Sequence, residues 1–335
     1  MGEATKEKNE KKKLSKWRIR TIIVASISAL IGLALIITNF FIPVKYLFSY
    51  TVLRNKGAGE GVMRVRFVDV DFGDCIIIEL PDGKNMLIDA GDGKSSNISR
   101  ILKYLNQSDI ETIDYLVCTS VNPEHCGGLT EILKYKTVKE VFMPLSAYGS
   151  INEQFHNFVL ALSSYDIKST ISAYGEGLES EYGYIFKFLS PSHYGNPSGE
   201  YSDLTAEPSS QIARNNASAV CWLQYGETSF LFTSDAGAKP LTKIMESYTM
   251  LGEYYAVPLE NCTVAQVSFH GGNNSEAAAF YNFLKPEVAV ISVGNNGFGC
   301  PSADIISTLS GTTLLRTDEN TTITFEVTKD GYKVV

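Results

Sequence analysis

The stretch TSVNPEHCGGL, residues 119–129, sets a carboxylate beside an imidazole, Glu124 before His125, and follows them with two glycines. Imidazole nitrogen and carboxylate oxygen are both ligands for a divalent cation, and glycines allow the backbone a tight turn. One turn cannot complete a coordination shell, so metal-assisted hydrolysis needs donors from several elements. The ion they hold lowers the pKa of a bound water towards neutrality. Further polar clusters close apolar runs: DVDFGD (69–74), LIDAGDG (87–93), NNAS (215–218), FTSDAG (232–237) and FHGG (269–272). Each alone is ordinary turn chemistry. Their order along the chain is the stronger signal.

The elements that must position these clusters follow from apolar patterning. VRFVDV (65–70), CIIIEL (75–80) and NMLIDAGDG (85–93) read as strands, the last two joined by the turn PDG (81–83). Ile98, Ile101, Leu102 and Leu105 predict a helix over 95–107. IDYLVCTS is a strand running into the opening stretch, and GGLTEILKYK reads as the helix after it. The second half alternates in the same way, with strands at YIFKFLSPS, ASAVCWLQYGETSFLFTSDAGA, AQVSFHGG, VAVISVG, TTLLRT and TITFEVT. Helices at EAAAFYNFL and ADIISTLSG fall between the later strands. Strands mixed with helices in both halves predict a layered α/β fold with helices outside two sheets. Residues 193–213, rich in Ser, Tyr, Gly and Pro, read as a surface loop at the rim of a cleft.

The N-terminus has a different character. Residues 1–20 carry eight Lys or Arg, and the 24 residues Thr21–Val44 carry no charge at all. A helix needs about 20 apolar residues to cross a bilayer, and Trp17 and Tyr46 flank the run as interfacial aromatics do. A cleaved signal peptide would have a shorter apolar run and small residues at a cleavage site. The expected organisation is a basic cytoplasmic segment (1–20), a transmembrane anchor (21–44), a linker (45–60) and an extracellular domain (61–335). The domain holds 18 basic and 33 acidic residues, a formal charge of −15. That field repels polyanions, so nucleic acid is not the expected partner; the membrane is, and no protein partner is indicated. Six cysteines without a CxxC pair exclude a zinc ribbon and leave disulfides open.

The ordered motifs FVDVDFGD, PDGKNMLIDAG, LVCTSVNPEHCGGL, NNASAVC, FTSDA, FHGG and VAVISVG resemble the metallo-β-lactamase superfamily, most closely its ComEC-type branch, related to DNA-uptake channel proteins. The resemblance covers essentially residues 63–317 and implies a four-layer αββα sandwich behind the anchor. It also makes departures visible. The family's first metal histidine falls on Ser120, its next ligand on Asn122, the first histidine of its HHG pair on Phe269 and a later histidine on Cys300. What survives is Glu124, His125, Asp235 and His270, a set implying one Zn²⁺ or Mn²⁺ with an open position. Asp89 and Glu124 are the expected catalytic carboxylates, and Asp69, Asp74, Asn215, Asn216 and Ser218 the expected cleft.

Plainer readings stand beside each of these. His125 could cap the following helix, His270 could reflect backbone packing, and Asp89 and Asp235 could accept turn N–H bonds. Cys126 and Cys300 are expected as unpaired thiols rather than ligands or a disulfide. Two functions follow: a membrane-anchored extracellular hydrolase of phosphodiesters or related esters with an impaired or single-metal site, or a metal-free module that recognises a partner or small ligand in the same cleft.

Overall fold

A computed structural model describes residues 16–41, 57–144, 152–191, 211–251, 257–260, 262–272 and 275–335, in two compact units, Met1–Leu47 and Phe48–Val335. Among the described residues the first unit holds one helix, α1 (Lys16–Phe41), of 26 residues. Ile22, Ile23, Val24, Ile27, Leu30, Ile31, Leu33 and Ile36 are each at least half exposed. Apolar side chains therefore surround the helix rather than forming one stripe. Among the described residues no helix is long and apolar enough to cross a membrane; side chains of α1 are described only from Arg20 to Ala34 and at Ile36. The transmembrane anchor expected over 21–44 is accordingly not shown by the fold. Residues 42–44, most of the expected linker and most of the 193–213 loop lie outside the described residues.

The second unit is a sandwich of two mixed sheets with helices. In chain order the first sheet takes β1 (Met63–Phe67), β2 (Ile76–Glu79), β3 (Asn85–Ile88), β4 (Thr112–Val117), β5 (Thr137–Met143) and β6 (Lys168–Ile171). The second takes β7 (Gly177–Glu179), β8 (Tyr184–Ser190), β9 (Val220–Tyr225), β10 (Thr228–Phe232), β11 (Val264–Gln266), β12 (Val288–Ile291) and β13 (Thr313–Arg316). Strands β14 (Ile323–Thr328) and β15 (Gly331–Val334) return to the first sheet, whose order is β15-β14-β1-β2-β3-β4-β5-β6. The second sheet runs β13-β12-β11-β10-β9-β8-β7. From β3 to β6 and from β10 to β13 the pairings are parallel, and the rest are antiparallel. Parallel strands point the same way, so the C-terminal ends of β3, β4, β10, β11 and β12 can be brought to one edge of the sandwich, where open α/β sheets place ligand sites.

Alternation fixes which side chains meet between the sheets. Val65 pairs with Ile78, and Ile78 with Met86, giving an inward row. That row joins Phe67, Phe186, Phe188, Phe230, Phe232 and Phe325 in one core, each of these phenylalanines 0–1% exposed. Burying each ring stabilises by about 1.5–3 kcal/mol. One residue out of step, Ile77, Leu87, Leu116 and Val141 pair across the first sheet and are also fully buried, which requires a covering layer on that face. Helix α2 (Ser95–Gln107) carries the predicted stripe Ile98, Ile101, Leu102 and Leu105, all buried.

The predicted GGLTEILKYK helix is instead one short turn, α4 (Leu129–Ile132), preceded by another, α3 (Pro123–Cys126). Pro123 opens α3 because its fixed φ suits an initial helical position. Gly128 sits between them against the β3 loop, where a Cβ would lie 2.1 Å from the Ala90 carbonyl oxygen. Backbone bonds lock the two loops together, Ala90 N–H to His125 O at 2.9 Å and Gly128 N–H to Gly91 O at 3.1 Å. The glycine pair thus serves a close approach of two backbones. Helix α5 (Glu153–Ser164) follows in the first half. In the second half, α6 (Gln211–Asn216) precedes β9, while α7 (Ala238–Leu251), α8 (Ser275–Leu284) and α9 (Ala303–Thr308) supply buried Leu241, Phe280 and Ile305 to a second apolar core with the outer face of β10–β12.

Candidate metal centre

Residues from separate strand ends converge behind the α3 turn. Asp89 follows β3; Thr119, Ser120 and Asn122 follow β4; Ser234 and Asp235 follow β10; His270 follows β11. Asp89, Ser234, Phe269 and His270 all have φ between 49° and 58°, a left-handed conformation that side chains other than glycine seldom adopt. Such conformations persist only where surrounding contacts over-determine them.

His125 is the hub, and it is fully buried. Its Nδ1 lies 2.9 Å from Asp89 Oδ2, and its Nε2 lies 3.0 Å from Asp235 Oδ2 without being in line for a hydrogen bond. His270 lies nearly parallel to it, ring centroids 5.4 Å apart, with Nδ1 2.8 Å from the Ser292 carbonyl oxygen. A carbonyl only accepts, so His270 Nδ1 must carry the hydrogen and Nε2 is left with its lone pair. Asp89 imposes the same tautomer on a neutral His125. Both Nε2 atoms and Asp235 Oδ1 are buried without a hydrogen-bond partner.

These orphaned atoms provide a direct test of fit to a metal ion. Ligand atoms of Glu124, His125, Asp235 and His270 all lie within 4.8 Å of one another. His270 Nε2 is 3.5 Å from Asp235 Oδ1. Two donors at about 2.0–2.2 Å from a tetrahedral ion stand roughly 3.3–3.6 Å apart, so this spacing suits one cation between them. Charge favours it too. Asp74, Asp89 and Asp235 are all at most 2% exposed and crowd the two imidazoles. Three buried carboxylates need positive charge nearby. In the absence of an ion His125 supplies it: burial opposes protonation, but Asp235 and Asp89 outweigh burial and hold its pKa well above the ordinary value. Asp235 is opposed by burial yet held well below the carboxylate range by His125. For Asp89 burial wins, and its pKa is raised.

The sequence-predicted residues divide clearly. Glu124, His125, Asp235 and His270 come together as expected from the motifs. Asp89 was expected at the chemistry, but it is fully buried behind His125 and both its oxygens are engaged. Oδ1 accepts from Thr119 N–H at 2.8 Å, and Oδ2 accepts the Thr119 hydroxyl and faces His125. It orients rather than reacts. Asp74 lies on the Nδ1 side of the imidazoles, 3.5 Å from His125 Nδ1, with Gln266 Nε2 donating to its Oδ2 at 2.8 Å. Asn215 accepts from Asn122 Nδ2 at 3.0 Å. Asp69 instead pairs with Arg100 at 2.8 Å, Asn216 packs on Gly237, and the buried Ser218 hydroxyl has no hydrogen-bond partner, so these three side chains do not join the cluster.

The positions of lost ligands are filled by other contacts. Ser120 Oγ accepts the Asn122 N–H at 3.2 Å, and Asn122 Nδ2 donates to Asp235 Oδ2 at 2.7 Å. Cys300 lies 3.9 Å from the Phe269 carbonyl oxygen. All six cysteines are free, and burial pushes Cys126 up to about 12, far from a thiolate ligand. Four contributors escaped the sequence reading: Thr119, Ser234, Gln266 and Arg214. Ser234 bonds Thr119 at 2.6 Å, and Gln266 Oε1 accepts the Thr233 and Ser234 N–H groups at 3.1 Å. A glutamine inside the apolar run VAQV was the one available signal, since a buried amide requires partners. Phe72 packs at a tilt on His270, ring centroids 4.4 Å apart, and on Phe298 at 5.2 Å, and Phe298 is 73% exposed.

The family model described as the metallo-beta-lactamase superfamily matches residues 68–294. ComE operon protein 3 of Bacillus subtilis is 25% identical over 301 residues, 83% of this chain and 34% of that protein. Recombination protein 2 of Haemophilus influenzae is 27% identical over 252 residues, 74% of this chain and 26% of that protein. This chain therefore spans about a third or less of the length of these relatives. A solved metal-dependent hydrolase of the beta-lactamase superfamily is 12% identical, with a TM-score of 0.47 over 78% of this chain and 98% of its own. With the motif order, the paired sheets and the match over 68–294 in agreement, the chain belongs to the metallo-β-lactamase superfamily, alongside its competence-related, ComEC-type members.

Proposed function

We propose that this protein is a single-metal hydrolase of phosphodiesters or related esters, tethered to the membrane by the uncharged run 21–44. The observation that carries the reading is the trio of partnerless buried donors, His125 Nε2, Asp235 Oδ1 and His270 Nε2, beside the Glu124 carboxylate. These four residues would hold one Zn²⁺ or Mn²⁺. Such an ion supplies Lewis acidity and lowers the pKa of a water to near neutrality. The chain's own contribution is orientation. Asp89 keeps a hydrogen on His125 Nδ1, and the Ser292 carbonyl keeps one on His270 Nδ1, so in the neutral rings both Nε2 atoms keep their lone pairs for an ion. Asp235 Oδ1 and the half-buried Glu124 complete the donor set and offset the ion's charge. His125 and Asp235 are fully buried, which keeps bulk water from those two donors.

The uncharged run 21–44 beside a lysine-rich start supports a single-pass anchor with the domain outside the cell. The domain's charge of −15 favours small esters over long polyanions as substrates. A second reading, a metal-free binding module, has one observation in its favour: a protonated His125 between Asp89 and Asp235 already neutralises much of the cluster. Elemental analysis of the full chain in detergent, with turnover of bis(p-nitrophenyl) phosphate, separates the two. One equivalent of zinc or manganese, with turnover lost in His125→Ala and His270→Ala, is expected. No bound ion and no turnover at saturating metal would establish the module instead. Carbonate-resistant sedimentation with membranes, lost on deleting residues 1–47, tests the tether.

A further inference from the structure

We infer that Arg214, held on the cluster through Asn122, is the site's second positive charge and binds the anionic oxygen of the substrate, so that the centre takes one metal ion and no more. Resting on the single-metal reading, the inference starts from how Asp235 is divided. Its Oδ2 accepts Asn122 Nδ2 at 2.7 Å and lies 3.0 Å from His125 Nε2, whereas Oδ1 has no partner. An ion can therefore claim Oδ1, but a second one would have to displace the Asn122 amide from Oδ2. Arg214 stabilises that amide, because its Nε donates to Asn122 Oδ1 at 3.1 Å. The contact also fixes the amide's orientation: with Oδ1 facing a guanidinium, Nδ2 must face the two acceptors, Asp235 Oδ2 and Asn215 Oδ1.

The result is a chain of donors, guanidinium to amide to carboxylate, bringing a permanent positive charge within two hydrogen bonds of Asp235. Among the described residues the Nη groups of Arg214 have no other hydrogen-bond partner. They sit on a half-buried side chain at the C-terminal end of α6. A planar fork of N–H donors matches the oxygens of a phosphoryl group. In a domain with a charge of −15, an anionic substrate needs such a local cation besides the ion. The ligand class is thus a tetrahedral oxyanion, with one oxygen towards the ion and another towards Arg214.

The test uses the full chain in detergent, zinc titrated against a chelating dye, and inorganic phosphate titrated by calorimetry into the zinc-loaded protein. Wild type is expected to hold one zinc. Arg214→Gln is expected to keep that zinc yet bind phosphate at least about tenfold more weakly, with Arg214→Lys in between. Asn122→Asp, of the same shape, exchanges the blocking donor for a carboxylate and is expected to admit a second zinc. Two zinc equivalents in wild type, or unchanged phosphate binding in Arg214→Gln, overturn the inference while leaving the hydrolase reading intact. A single equivalent in a folded Asn122→Asp variant overturns the blocking role of Asn122. No zinc in wild type sinks the single-metal reading itself, and this inference with it.

Discussion

Replacing Asp89 with asparagine probes how the buried carboxylate governs the centre. Asp89 is 0% exposed and has φ 58°, a backbone conformation that asparagine tolerates at least as well as aspartate. Size and backbone are therefore preserved, and what changes is charge and the character of one atom. The introduced side chain can still accept the Thr119 N–H through its amide oxygen, the bond that Asp89 Oδ1 makes at 2.8 Å. Its NH₂ must then face His125 Nδ1, 2.9 Å from the present Oδ2, and a donor there forces Nδ1 to accept. The imidazole hydrogen moves to Nε2, and the lone pair needed by the ion disappears. Loss of such a supporting carboxylate costs about 10–100-fold in metal affinity, which is roughly 1.4–2.7 kcal/mol. Competition of zinc between protein and a chelating dye reads this directly, and Thr119→Val, which removes the hydroxyl bonds to Asp89 and Ser234 but leaves the carboxylate in place, is expected to fall well short of it. Zinc affinity in Asp89→Asn within about twofold of wild type would refute the tautomer reasoning.

Other consequences are as direct. Zinc at about 100 times its dissociation constant should stabilise the folded chain by about 2.7 kcal/mol, raising the melting temperature by roughly 5–10 °C for a domain of this size. EDTA should reverse the shift, and Asp235→Asn should lack it. In chelator-treated protein, the raised pKa of His125 gives a contribution complete below 6.5 and lost as pH rises through the folded-state value. The depressed pKa of Asp235 gives one present above 3.8 and lost as pH falls. Urea midpoints should therefore decline on the alkaline side of neutrality, and His125→Asn should flatten that limb. Gly128→Ala would push a methyl to 2.1 Å from the Ala90 carbonyl oxygen and 2.8 Å from Ile98 Cδ1, and is expected to destabilise by about 1–3 kcal/mol or more in the same urea assay. Phe298→Ala, at an exposed ring packed at a tilt on Phe72, should leave stability unchanged but lower kcat/KM for aryl esters several-fold relative to methyl esters.

Much of this protein was legible in its sequence because period and order are local properties. Alternating apolar residues gave the strands, the spacing Ile98, Ile101, Leu102 and Leu105 gave α2, and the order of polar clusters gave the family and the four donors Glu124, His125, Asp235 and His270. What the sequence alone could not decide was the work each polar residue does. Asp89 and Asp235 both follow a strand and are both fully buried, yet one holds an imidazole nitrogen and the other keeps an oxygen without a hydrogen-bond partner. Asn122 and Arg214 are 92 positions apart and become partners only when β4 and the helix before β9 come together. The glycine pair after His125 reads as the start of a ten-residue helix, yet it packs against the 89–93 loop and only Leu129–Ile132 is helical. Patterning depends on neighbours along the chain, whereas protonation, tautomer and ligand geometry depend on neighbours across it, and those contacts exist only once the two sheets have packed.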